Sequence, residues 1–192
     1  MQTEDQLQRG VESQNPLLRN SMNQHIARTW WLTGLSGAGK TVLARALANT
    51  LRSRGESACV IDGDELRAGL CLDLGFDAAS RVENVRRAAH MARLINDNGV
   101  HAVVALISPA AAARAQAYAT IGMESCREIH VSTPLAVCEQ RDPKGLYARA
   151  RAAQLTQMTG VQAPYEPPEH PVLRIDTSVI TVPAAVLQLL NA

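Results

Sequence analysis

The run Gly34-Leu35-Ser36-Gly37-Ala38-Gly39-Lys40-Thr41 constrains this chain more than any other feature. It fits G-x-x-x-x-G-K-[ST] at every specified position. Glycines let backbone N–H groups turn inward around phosphate oxygens, Lys40 adds a compact positive charge, and Thr41 offers a hydroxyl to Mg²⁺. Such a loop needs a buried strand before it and a helix after it. Thr29–Thr33 reads as that strand. From Thr41 to about Arg54, Val42, Leu43, Leu47 and Leu51 mark the apolar face of the helix.

Lysine usage sharpens the point. The chain has 19 basic residues, and only Lys40 and Lys144 are lysine. Arginine's planar fork does not replace a point charge inside a phosphate cradle, which explains Lys40 without appeal to codon bias. Lys144 sits in Arg141-Asp142-Pro143-Lys144-Gly145-Leu146-Tyr147, where the P-loop gives no reason for it.

Further elements alternate. Ala58–Ile61, Ala102–Ile107, Glu128–Val131 and Val172–Ile175 read as strands. Ser80–Asn98 and Pro183–Leu190 read as helices, and Thr133-Pro134 opens another. The pattern predicts an α/β fold of three layers, a parallel sheet flanked by helices. Ligands in such sheets gather at the carboxyl ends of the strands, where Gly34, Asp62, Ser108 and Ser132 fall.

Composition limits the alternatives. A chain of 192 residues with 46% hydrophobic content suits one core, expected over residues 28–192. Residues 1–27 are rich in Gln and Asn and read as an N-terminal arm. A net charge of +1 gives no basis for a nucleic-acid or membrane partner. There is no signal-peptide pattern and no apolar run near the roughly 20 residues of a membrane span, so a cytoplasmic protein is expected. Cys59, Cys71, Cys126 and Cys138 lack metal-ligand spacing and read as reduced thiols.

Asp62-Gly63-Asp64 follows the second strand directly. One carboxylate suits a helix cap, and the other, by preference Asp64, suits Mg²⁺ or a substrate hydroxyl. Arg67 lies one turn on. Arg81, Asn84 and Arg87 share a helical face able to hold an anion, although pairing of Glu83 with Arg86 or Arg87 is the plainer reading. Phe76, the one phenylalanine, suits either a core position or stacking on a base.

Taken together, Gly34–Thr41, Asp62–Arg67, Asp73-Leu74-Gly75-Phe76, Arg81–Arg87, Ile107-Ser108-Pro109, Thr133-Pro134-Leu135, Cys138–Tyr147 and Pro164-Tyr165-Glu166 resemble the adenylylsulfate (APS) kinase family. They run in family order over about residues 30–177. The resemblance implies ATP-dependent phosphorylation of the 3′-hydroxyl of APS, with ATP and Mg²⁺ as cofactors. It places Gly34, Leu35, Ser36, Gly37, Ala38, Gly39, Lys40, Thr41 and Arg141 on ATP, and Thr41 and Asp62 near the metal. It assigns Asp64, Arg67, Phe76, Arg81, Asn84, Ile107, Ser108, Lys144 and Met158 to APS. Lys40, Asp62, Asp64, Ser108 and Lys144 form the implied catalytic group, with Lys144 on a helical lid at about 142–163. A homodimer is implied, and a sulfurylase partner or fusion fits the same chemistry.

Three departures stand out. Ala110-Ala111 replace the family's Tyr-Arg after Ser108-Pro109, while Arg114 keeps a later arginine. Met158 stands where the family places a lid phenylalanine against the APS adenine. A thioether covers a ring more weakly, so looser APS binding is expected. A kinase for another small hydroxylated acceptor, or a non-catalytic nucleotide-binding module, remains the alternative at this point.

Overall fold

A computed structural model describes residues 27–192, so the expected arm lies outside the described residues but for its last position. Strands β1 (Thr29–Thr33), β2 (Ala58–Asp62), β3 (His101–Ala105), β4 (Cys126–Val131) and β5 (Leu173–Ile175) form one sheet in the order β2-β3-β1-β4-β5. All adjacent pairs are parallel, and Thr29 faces Ala102 on one side and Cys126 on the other. The strand order therefore reverses beside β1, which opens a crevice at its carboxyl end.

Every residue of β1 is buried, as a strand covered on both faces requires. Successive side chains point to opposite faces. Trp30 and Leu32 enter one core, with helix α1 (Lys40–Ser53) and the last helix, Val182–Leu190. Trp31 enters the other, beneath α2 (Gly63–Ala68), α3 (Ala78–Asp97) and α4 (Ala111–Ile121). Buried polar tips find partners. Thr29 Oγ1 donates to Asn96 Oδ1 at 2.6 Å, Trp30 Nε1 to the Leu189 carbonyl at 2.8 Å, and Trp31 Nε1 to Ser108 Oγ at 3.0 Å.

Leu43, Leu47 and Leu51 recur every four residues along α1 and are fully buried. Each contributes roughly 1.5–3 kcal/mol by leaving water. Val42, which the sequence placed on that face, points outward and is 57% exposed. It lies one helical step of about 100° from Leu43, too far round to share the seam.

Helices α5 (Leu135–Arg141), α6 (Leu146–Arg151) and α7 (Val182–Leu190) complete the described part. The sequence gives no forewarning of α4, whereas α2 follows the helix cap read at Asp62-Gly63-Asp64 and α6 falls in the helical lid that the family resemblance implied. Helices α2 and α6 are each six residues, too short to show a period, and α4 is so rich in alanine that its two faces hardly differ. Strand β3 ends at Ala105, two residues before the expected Ile107. Leu106 keeps one ladder bond to Leu32, and the chain then turns into Ser108, whose φ is +45°.

Candidate active site

A cavity of about 1090 Å³ lies over the carboxyl ends of the strands. This is at the upper end of the roughly 300–1,000 Å³ of single-ligand pockets. The glycine loop forms one wall. Gly34 has φ +151°, and a Cβ there would stand 2.4 Å from the Val131 carbonyl oxygen; Gly37 has φ +74° with Cys138 O at 2.9 Å. Among the described residues no side chain caps α1 at Gly39, and no acidic residue occupies its first turn. Its free N–H groups and the positive end of its dipole therefore face the loop, which suits an anion.

Lys40 Nζ donates to the carbonyls of Gly34 at 2.9 Å and Leu35 at 2.7 Å. Burial is the main force pulling its pKa down to about 8, and the like charge of Lys144 adds to it. Ser36, Gly37, Gly39, Lys40 and Thr41 line the cavity. Gly34, Leu35 and Ala38, also assigned to ATP by the resemblance, lie outside that wall. The carbonyls of Gly34 and Leu35 serve Lys40, and that of Ala38 accepts from Thr133 Oγ1 at 3.0 Å and Thr177 Oγ1 at 2.9 Å. Those three residues brace the loop.

The two aspartates divide their work. Asp62 caps α2 by accepting from Asp64 N at 2.9 Å, and its other oxygen accepts from Thr41 Oγ1 at 2.6 Å. Asp64 extends into the cavity and bonds Lys144 Nζ from the lid. Across the cavity, the Arg67 guanidinium lies 4.3 Å from the centroid of the Phe76 ring. Phe76 is 63% exposed, so the core reading of this lone aromatic is corrected. It is presented on the loop before α3, with Arg67 holding the carbonyls of Leu74 and Gly75 beneath it at 3.3 and 2.8 Å.

Arg81 and Asn84 share one face of α3 and line the cavity. Burial lowers the pKa of both Arg67 and Arg81, and the neighbouring charge of Arg67 lowers Arg81 further. Two cations held together in this way favour an anion beside them. Asn84 is buried, and its Nδ2 has no hydrogen-bond partner among the described residues. Leaving such a donor unmet costs about 1–3 kcal/mol, which an acceptor on a ligand offsets. Arg87, put on the same face by spacing, does not join. It grips Asp73 at 2.6 and 2.7 Å and Glu83 at 2.9 Å instead. The surface-pairing alternative holds for that residue.

Residues 142–163 fold over the cavity. Tyr147 is buried and donates to the Ser36 carbonyl at 3.0 Å, joining α6 to the glycine loop. Arg81 donates to Gln157 O and Thr159 Oγ1, tying α3 to the far end of the same segment. Met158 lines the cavity yet is only 7% exposed, so it packs as much as it covers. Arg141 lines the opposite end and donates to Thr177 Oγ1 at 2.7 Å and Thr177 O at 2.9 Å. Ile107 and Ser108 form the floor.

Sequence reasoning passed over Thr177, Tyr147 and Trp31. Thr177 follows the last strand, a position that its topology could have marked. Trp31 gave no signal, being one of several apolar strand residues.

A strand–glycine loop–helix wall facing paired carboxylates and an arginine face defines a P-loop phosphotransferase. The sequence model of adenylylsulphate kinase matches residues 27–176, and the chain belongs to that family. An adenylyl-sulfate kinase of Phocaeicola vulgatus is 48% identical over 161 residues, covering 84% of this chain and 79% of the relative. The solved APS kinase of Mycobacterium tuberculosis in complex with AMPPNP and APS is 42% identical with a TM-score of 0.83, covering 86% of this chain and 96% of that one. A hexameric APS kinase from Thiobacillus denitrificans is 34% identical with a TM-score of 0.65, covering 91% of this chain and 30% of that one.

Proposed function

We propose that this chain transfers the γ-phosphoryl group of ATP to the ribose 3′-hydroxyl of APS, giving 3′-phospho-APS and ADP. One observation carries the reading. A single cavity joins the Lys40–Thr41 wall to the Arg67–Phe76–Arg81–Asn84 wall, with Asp64 and Lys144 between them. One wall suits a triphosphate, and the other suits an aromatic base carrying an anionic tail.

In this reading Ser36, Gly37, Gly39, Lys40 and Thr41 wrap the ATP phosphates, Lys40 balances charge on the transferred group, and Arg141 covers the donor nucleotide. Phe76 and Met158 flank the acceptor adenine, while Arg67, Arg81 and Asn84 hold its phosphosulfate and Ile107 and Ser108 support it. Asp64 accepts the 3′-hydroxyl proton as that oxygen bonds to Pγ and the Pγ–O bond to ADP breaks. Lys144 sits beside the same oxygen. The lid keeps water from the phosphoryl group in flight, and positioned charge supplies most of the acceleration.

Thr41 and Asp62 offer a hydroxyl and a carboxylate, hard oxygen ligands 2.6 Å apart. Mg²⁺ commonly takes one or two protein oxygens and completes its shell with phosphate and water, so this pair fits it. When bound there it would neutralise charge on the β- and γ-phosphates. The protein is further read as cytoplasmic and as a homo-oligomer, a dimer being the simplest. Among the described residues no helix is long and apolar enough to cross a membrane.

The test mixes protein, MgATP and APS and measures ADP and 3′-phospho-APS. Stoichiometric appearance of both is the expected result. ATP binding without turnover, or turnover of a sugar acid in place of APS, would overturn the reading.

A further inference from the structure

We propose that Trp31 is a positioning residue for the acceptor nucleotide, acting through Ser108. Its indole N–H occupies one lone pair of the Ser108 hydroxyl and leaves the hydroxyl proton to donate into the cavity. The inference rests on the reading of the Ser108 side as the acceptor site.

Trp31 lies in the middle of β1 with no exposed surface. An indole nitrogen can only donate, and a buried one needs an acceptor. The acceptor here is Ser108 Oγ at 3.0 Å, from a residue 77 positions away. Ser108 is itself nearly buried, lines the cavity, and has φ +45°, a backbone region that non-glycine residues seldom occupy. Something must hold it there. Arg114 Nη1 donates to the Ser108 carbonyl at 2.8 Å, while its Nε donates to Glu128 at 2.9 Å. Tyr118 donates to the same Glu128 oxygen at 2.8 Å, and its ring meets Trp31 edge-on with centroids 6.0 Å apart. Trp31, Ser108, Arg114, Tyr118 and the half-buried Glu128 thus close a ring around one serine, fixing both its carbonyl and its hydroxyl.

The hydroxyl carries one donor and two acceptor sites. Trp31 uses one acceptor site. Among the described residues no carboxylate, imidazole or amine is bonded to Ser108 Oγ to draw off its proton. Ser108 is therefore set as a hydrogen-bond donor to an anionic or hydroxylated ligand, with its rotamer chosen by the indole.

Trp30 provides the internal control. It has the same side chain one residue earlier and is also buried, yet its N–H goes to the Leu189 carbonyl at 2.8 Å on the opposite face of the sheet. Removing that bond removes a comparable buried contact far from the acceptor.

The experiment is a double-mutant cycle on the full chain with Trp31→Phe, Ser108→Ala and the pair, beside Trp30→Phe. The readouts are kcat/KM for APS, KM for ATP and the thermal midpoint. Trp31→Phe is expected to lower kcat/KM for APS about five- to tenfold, the scale of one lost hydrogen bond, with KM for ATP unchanged. In the Ser108→Ala background it should add nothing. Trp30→Phe should shift the midpoint and leave kcat/KM for APS alone. Additive losses in the pair, equal losses from Trp30→Phe, or no effect of Ser108→Ala would each overturn the proposal. If Trp31→Phe does not fold, benzothienylalanine at position 31 keeps both fused rings, lacks the N–H, and takes its place in the cycle. Failure of the wild type to use APS would instead count against the acceptor reading itself.

Discussion

The two ends of the cavity are built in different ways. At the glycine-loop end the groups that face the cavity come mostly from one segment, where Lys40 bonds carbonyls five and six residues away, while Thr133, Tyr147 and Thr177 brace that loop from behind. The arginine end is assembled from distant pieces. Lys144 meets Asp64 across 80 residues, Arg81 meets Thr159 across 78, and Trp31 meets Ser108 across 77. A wall made of one loop takes its shape from consecutive residues. A wall made of side chains from several elements exists only when the lid, α3 and the sheet are all in place. Damage to the first should therefore abolish chemistry outright, and damage to the second should act mainly on the acceptor.

The largest expected effect is Lys40→Ala, which should reduce kcat by about 10²–10³ or more with the circular-dichroism spectrum retained. Substantial turnover in that variant would erase the distinction between the two ends. Lys144→Ala should cost about ten- to a hundredfold in kcat/KM for APS and leave KM for ATP nearly unchanged. An equal loss toward ATP would place Lys144 with the donor.

Acidity sharpens the same contrast. Burial holds the free Lys40 at a pKa of about 8, so the group is charged below that pH and neutral above it. A phosphate ligand favours the charged form and raises the pKa in the complex. ATP affinity should then be level below pH 8 and about tenfold weaker at pH 9, with proton uptake on binding visible by calorimetry in buffers of different ionisation enthalpy. Affinity that is flat to pH 10 would show that ATP binding is not linked to the titration of a depressed Lys40.

Met158→Phe should lower KM for APS a few-fold by restoring a second ring, and cost about 1–3 kcal/mol of stability because the site is already filled. An unchanged KM would remove Met158 from the acceptor wall. The smallest effect belongs to Glu166, whose carboxylate accepts from Ala111 N at 2.6 Å and caps α4 where no local side chain does. Glu166→Ala should lower stability in urea by about 1 kcal/mol with both KM values intact. A change in either KM would show that the Ser108–Ala111 turn depends on that cap.

Much of the fold was legible because a parallel sheet writes its strands as short continuous apolar runs. Trp30–Leu32 and Val103–Ala105 could hardly be anything else. Periodicity marked none of α2, α4 and α6, since six residues, or a run of alanines, carry no period; α2 was legible only from its cap and α6 only from the lid that the resemblance implied. On the glycine-loop side, the motif spacing put Lys40 and Thr41 side by side and the resemblance added Asp62, whose carboxylate accepts from Thr41 Oγ1. On the acceptor side, spacing grouped Arg87 with Arg81 and Asn84, whereas Arg87 had two carboxylates nearer to hand. Phe76 could be nominated for the core or for a ligand, and only its 63% exposure separates the two.

What the sequence determined by itself is the phosphate-binding turn, because glycine φ angles, a helix N-terminus and an adjacent lysine are properties of consecutive residues. The family motifs likewise bring Asp64, Phe76, Arg81 and Lys144 forward as a set. Tertiary structure alone decided how that set is arranged: that Lys144 reaches Asp64, that Asn84 has an unmet donor among the described residues, and that Trp31 and Arg114 hold one strained serine between them. Those are distances between segments far apart in the chain, and only the packed sheet, helices and lid fix them.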